Sequence, residues 1–123
     1  MILFACIHNS GRSVAAEVIA RSLGADARSA GSEPGAGVNP VVAQVLAERG
    51  LSVTDHTPTL LTHDGVQEAD VVITMGCGET CPVFPGKRYE DWQIDDPKDQ
   101  PIETVRAIVN DIETRVRALL TTL

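Results

Sequence analysis

Apolar residues run along this chain in two alternating patterns. Residues 1–5 are continuously apolar, as a strand buried on both faces is. Residues 14–23 then place Val14, Ala15, Val18, Ile19 and Leu23 on one helical face, and Gly24 ends the run. A short strand is predicted over 25–30, and Gly31, Pro34, Gly35 and Gly37 mark a loop. Asn39-Pro40 opens a second helix, with asparagine as the cap and proline in the first turn. Val41, Val42, Val45 and Leu46 form its stripe, and Gly50 stops it. A connector over 51–57 leads to a short helix within 60–68. Asp70 to Met75 carries the second buried strand, residues 76–86 are a Gly- and Pro-rich loop, and 88–94 predict a short strand. Gln100-Pro101-Ile102-Glu103 has a capping-box pattern. From there Ile102, Val105, Ile108, Val109, Ile112, Val116 and Leu119 recur at helical spacing.

Strand–helix alternation predicts an α/β domain of three layers, a four-stranded parallel sheet flanked by helices on both faces. The 123 residues show no repeat or linker, so residues 1–123 form one domain. Hydrophobic residues at 43% and charged residues at 22% suit a globular chain with an adequate core. Aromatics are 3%, so Val, Ile, Leu and Ala must fill that core, with Phe84, Tyr89 and Trp92 read as a small satellite cluster. A net charge of -7 without a Lys/Arg cluster argues against a nucleic-acid partner. No apolar run reaches the ~18–20 residues of a membrane span, and the first residues lack the basic flank of a signal peptide. A cytoplasmic protein is expected, as a monomer or loose homodimer. The three cysteines, Cys6, Cys77 and Cys81, are too few and odd in number for a structural disulfide framework.

In parallel sheets, ligands sit beyond the carboxyl ends of strands. Two polar loops leave such ends: residues 6–13 after the first strand, and 76–86 after Met75. In Cys6-Ile7-His8-Asn9-Ser10-Gly11-Arg12-Ser13, successive backbone N–H groups can turn inward to form an anion nest, reinforced by the next helix N-terminus. Arg12 can hold two oxygens of a tetrahedral oxyanion. Cys6, at the centre, would have its thiolate stabilised by the same groups and by Ser13. Asn9 can brace the loop, and Gly11 permits a tight path. The bland alternative is a buried strand-end cysteine beside a solvated arginine.

Those eight residues resemble the Cys-x-x-Asn-x-x-Arg-Ser phosphate loop of the low-molecular-weight protein tyrosine phosphatase fold. Its two main branches are phosphatases and arsenate reductases. The resemblance covers nearly the whole chain, with Ser29-Ala30-Gly31, Val38-Asn39-Pro40 and Asp96-Pro97 in matching order. It implies Cys6 as nucleophile, residues 7–13 as the oxyanion site, and Asp96 rather than Asp95 as general acid. The stretch Gly76-Cys77-Gly78-Glu79-Thr80-Cys81-Pro82, continuing to Trp92, looks like the arsenate-reductase branch, particularly actinobacterial-type members. It implies that Cys77 and Cys81 relay electrons from an external thiol reductant, thioredoxin, or mycothiol with a glutaredoxin-like protein. No tightly bound cofactor is implied. Zinc at these cysteines lacks a convincing second ligand pair, and inert thiols are the other reading. The phosphatase branch, with water as the second nucleophile, is the alternative. Its members usually carry an aromatic after Asp-Pro, where this chain has Lys98. Some family reductases hold potassium with an Asn, a Glu, a Ser and an Asp. Asn9, Glu17 and Ser29 match, but Thr59 stands in the fourth position, so no metal is assigned. His8 is read as loop-lining, and His56 and His63 as surface or connector residues.

Overall fold

The computed structural model describes residues 1–76 and 87–123. Its elements are β1 (Ile2–Cys6), α1 (Arg12–Ser22), β2 (Ala27–Gly31), α2 (Pro40–Glu48), α3 (His63–Glu68), β3 (Val71–Thr74), β4 (Arg88–Asp91) and α4 (Ile102–Leu120). The strands form one parallel sheet in the order β2-β1-β3-β4. The predicted α/β architecture is the observed one. The chain steps from β1 to β2 on one side, then back across β1 to β3 on the other. This reversal opens a crevice beyond the carboxyl end of β1.

Strand alternation decides which layer each side chain joins. Ile2, Phe4, Cys6, Val71, Ile73 and Met75 face the larger core with α1, α2 and α4. Leu3, Val72 and Ala30 face the smaller one with Val66 of α3. Both faces of β1 are therefore covered, which is why its sequence is continuously apolar. Burial of each large side chain such as Phe4, Ile19 or Ile112 contributes roughly 1.5–3 kcal/mol. On the outer side α2 is tied to α4 by Glu48–Arg106 and Arg49–Glu113 ion pairs. The Arg106 guanidinium, hydrogen-bonded to the Glu48 carboxyl, holds it below the ordinary value of 4.5.

Three expectations change on contact with the structure. Trp92 is not in a satellite cluster. It is buried in the main core with its ring centroid 5.9 Å from that of Phe4, while Tyr89 packs on the opposite face. Phe84 lies outside the described residues. The capping box at the start of α4 does not form: Pro101 is the N-cap and no side chain caps the helix. A box needs a Ser or Thr hydroxyl there. Leu23 falls just past α1 and is exposed rather than on the buried stripe. By contrast, the Asn39 side chain caps α2 as predicted, accepting from Val41 and Val42 N–H.

Candidate active site

Residues 6–13 wrap around the carboxyl end of β1, and the backbone shows how. The carbonyls of Cys6, Ile7, His8 and Ser10 accept hydrogen bonds from the N–H groups of Ser32, Glu33, Gly35 and Asn39. The Gly11 carbonyl accepts from Ala15 in α1. No peptide bond among the described residues is cis, and in a trans peptide C=O and N–H point in opposite directions. Five carbonyls turned outward therefore turn the N–H groups of Ile7, His8, Asn9, Gly11 and Arg12 into the loop. Segment 32–39 is the template for this arrangement. It can lie close because Gly31 has no side chain: a Cβ there would stand 2.6 Å from the Ile7 carbonyl oxygen and 2.8 Å from Asn9 N. Asn9 has φ 51°, in the left-handed region that asparagine tolerates better than most residues.

The side chains divide into those that face the loop's cavity and those that brace it. Cys6, His8, Ser10, Gly11, Arg12 and Asp96 line a cleft of about 600 Å³ whose far walls are Gly35–Val41 and Pro97–Gln100. Cys6 is 2% exposed. Arg12, also buried, has Nη1 3.4 Å from the Ile94 carbonyl oxygen and Nη2 3.9 Å from Asp96 Oδ2. Asp96 Oδ1 accepts the Lys98 N–H at 3.0 Å, which orients the half-exposed carboxylate. Asp95 is exposed and does not line the cleft. His8 lines the cleft mouth with Nδ1 2.9 Å from the Glu33 carbonyl oxygen. Ile7 offers its backbone alone, since its side chain packs against Ala5 with Leu61. Cys77 and Cys81 lie outside the described residues.

Asn9 and Ser13 are fully buried behind the loop and set a hydrogen-bond direction. Asn9 Oδ1 accepts from Thr59 N at 3.0 Å, so its Nδ2 faces Ser13 and donates to Oγ at 2.8 Å. The Ser13 hydroxyl also lies 2.9 Å from Cys6 Sγ, within hydrogen-bonding distance of it. When Cys6 is the thiolate, which has no proton to give, the Ser13 O–H is the donor. His56 completes the chain: Nε2 lies 3.1 Å from Asn9 Oδ1, and Nδ1 lies 3.7 Å from the carboxylate of buried Glu17, which also accepts from Ser29. Of the reading of His56 as a surface or connector residue, the surface half is corrected. Its backbone is in a connector, but its side chain is mostly buried behind the loop. Asn9, Glu17, Ser29 and Thr59 do meet, yet they do not present a cation cage. His56 stands between Asn9 and Glu17, and the Thr59 hydroxyl is turned to the Thr57 carbonyl. Ser13→Ala is expected to slow alkylation of Cys6 by iodoacetamide at neutral pH about tenfold, the equivalent of one lost charge-assisted hydrogen bond. An unchanged alkylation rate would detach Ser13 from the nucleophile.

A family model described as low molecular weight phosphotyrosine protein phosphatase matches residues 1–123. The chain belongs to that family. Within the phosphatase family it is similar to a glutaredoxin arsenate reductase of Synechocystis, 32% identical over 125 residues, covering 97% of this chain and 95% of the relative. It also resembles the solved arsenate reductase of Archaeoglobus fulgidus, with TM-score 0.86 and 33% identity over 98% of this chain and 99% of that one. The thioredoxin-dependent arsenate reductase of Corynebacterium glutamicum gives TM-score 0.86 and 39% identity over 98% of this chain. This chain spans only 60% of that one. Sequence reasoning found the family through residues 6–13. It missed the template at 32–39, which acts through backbone N–H groups, and it missed His56, whose partners are far away in sequence. No helix among the described residues is long and apolar enough to cross a membrane.

Proposed function

We propose that this protein reduces arsenate to arsenite in cytoplasmic arsenic detoxification, through a Cys6–arsenic adduct and a relay over Cys77 and Cys81. The observation that carries the first half is the cleft itself. A buried sulfur, five inward N–H groups, Arg12 and one carboxylate converge there, and no Phe, Tyr or Trp is among the described residues that line it. A small inorganic oxyanion needs no ring-stacking wall. Support for the second half comes from the two further cysteines and from relatives named arsenate reductases.

In the proposed sequence, arsenate occupies the loop with three oxygens on the N–H groups and Arg12. Cys6 thiolate attacks arsenic while Asp96 protonates the departing oxygen, which leaves as water. Cys77 thiolate then attacks the Cys6 sulfur. The Cys6 S–As bond breaks, its electron pair stays on arsenic, and arsenite departs from a Cys6–Cys77 disulfide. Cys81 attacks Cys77, freeing Cys6 and forming Cys77–Cys81. The dithiol of thioredoxin reduces that bond, or mycothiol with a glutaredoxin-like protein does.

The test is arsenate-dependent NADPH oxidation with thioredoxin and its reductase, and with the small-thiol system in parallel. A phosphotyrosine-analogue assay runs beside both. Turnover is expected to require Cys6, Cys77 and Cys81. In single turnover, mass spectrometry of Cys81→Ser is expected to trap Cys6–Cys77. Hydrolysis that survives loss of Cys77 and Cys81, with no arsenate turnover from any thiol donor, would overturn the proposal in favour of a phosphatase.

A further inference from the structure

Gly76 follows β3 and has φ +90°, in the region that favours glycine. Its neighbour across the site is unusual. A Cβ at this position would stand 2.4 Å from Arg12 Nη1, 3.2 Å from Cζ and 3.4 Å from Nη2. The whole guanidinium therefore lies against the bare α-carbon of Gly76. From other directions the same group meets the Ile94 carbonyl oxygen at 3.4 Å and Asp96 Oδ2 at 3.9 Å. Two other described glycines share the backbone conformation but not the contact. Gly24 (φ +90°) and Gly50 (φ +77°) have nothing within 4 Å of a built Cβ.

We infer that Gly76 is a positioning residue for Arg12: the absent side chain is the space in which the guanidinium is held at its oxyanion-gripping angle. Even one methyl group there would have to push Nη1 by about 1 Å to reach an ordinary contact distance. The atom that gives way is the far end of a flexible side chain, so the fold survives. The cost falls on the site. Two-point recognition depends on angle as well as distance, and a displacement of about 1 Å can cost roughly 10²-fold. Arg12 would also lose its seat between Ile94 and Asp96, which ties the oxyanion grip to the acid loop.

This inference rests on reading residues 6–13 as an oxyanion loop, so the experiment tests the two separately. The full chain is prepared as wild type, Gly76→Ala and Gly76→Asn, with Gly24→Ala and Gly50→Ala as controls for backbone strain. Inorganic phosphate is the probe. Its Kd, the Tm without phosphate, and the guanidinium NMR signal of Arg12 in ¹⁵N-arginine-labelled protein are measured. Gly76→Ala is expected to raise the phosphate Kd at least tenfold and to move the Arg12 signal. The controls lower Tm comparably but leave the Kd within twofold and the signal in place. Asparagine accepts positive φ more readily than alanine yet also carries a Cβ. Gly76→Asn is therefore expected to recover Tm without recovering affinity. An Arg12 signal that does not move in Gly76→Ala would overturn the inference. So would affinity that returns together with Tm in Gly76→Asn, because strain would then be the cause. If wild type binds no phosphate, the oxyanion reading fails, while the Arg12 signal still decides where Gly76 holds the guanidinium.

Discussion

Cys6→Ser is expected to abolish arsenate turnover, by on the order of 10⁴-fold or more, and to leave the oxyanion site standing. The expectation follows from the separation between cradle and nucleophile. The cradle is backbone N–H turned inward by bonds to residues 32–39 and to Ala15, none of which uses the Cys6 side chain. Serine is close to cysteine in size, and the position is almost fully buried in a site that already hydrogen-bonds a polar atom from Ser13. Phosphate affinity within about threefold of wild type is therefore expected, since a neutral hydroxyl replaces a sulfur without disturbing the five donors. Titration with phosphate and a coupled turnover assay on the same sample check both halves. Residual turnover near the wild-type rate would place the nucleophile elsewhere. Joint loss of turnover and phosphate binding would mean that the sulfur helps hold the loop together.

Arg12→Lys divides the same functions differently. Lysine keeps the charge but offers a point donor where arginine offers a planar fork. A loss of about 10²–10³-fold in kcat/KM for arsenate is expected, the range found when one transition-state donor is removed. Both KM and kcat should change, because the proposed role of the guanidinium is to grip the ground-state oxyanion and it also sits 3.9 Å from Asp96. Stability should fall only modestly, as the one hydrogen bond the Arg12 side chain makes among the described residues is a long one to Ile94. Steady-state kinetics with a thermal melt settle it. A kcat/KM within threefold of wild type would show that backbone N–H groups alone hold the anion.

The ease with which each part could be read tracks the kind of force involved. β1 and β3 stand out because burial on both faces makes them almost wholly apolar, with Thr74 at the end of β3 the polar exception. Residues 6–13 stand out because the chemistry needs particular side chains within one turn of chain. The same logic explains what stayed hidden. Segment 32–39 shapes the loop through main-chain donors, which every residue except proline possesses, so its composition reads only as a loop. His56 meets Asn9 across 47 residues, and no local pattern announces such a pairing. Trp92 looked like part of a local aromatic group because Tyr89 is near in sequence. Strand alternation sends the two rings, an odd number of residues apart, to opposite faces. The failed capping box was a matter of one atom, the hydroxyl that Pro101 lacks.

The outward-facing carbonyls of Cys6, Ile7, His8, Ser10 and Gly11 have a thermodynamic counterpart. Holding them outward forces like-oriented amide dipoles to converge on one small volume, an arrangement that is unfavourable while nothing negative fills it. The rest of the fold must sustain that repulsion. Any tetrahedral anion that enters relieves it, and the folded state gains RT ln(1 + [L]/Kd), about 2.7 kcal/mol at a hundred times Kd. The protein's resistance to unfolding is thereby coupled to the anions dissolved around it, whether or not they ever react.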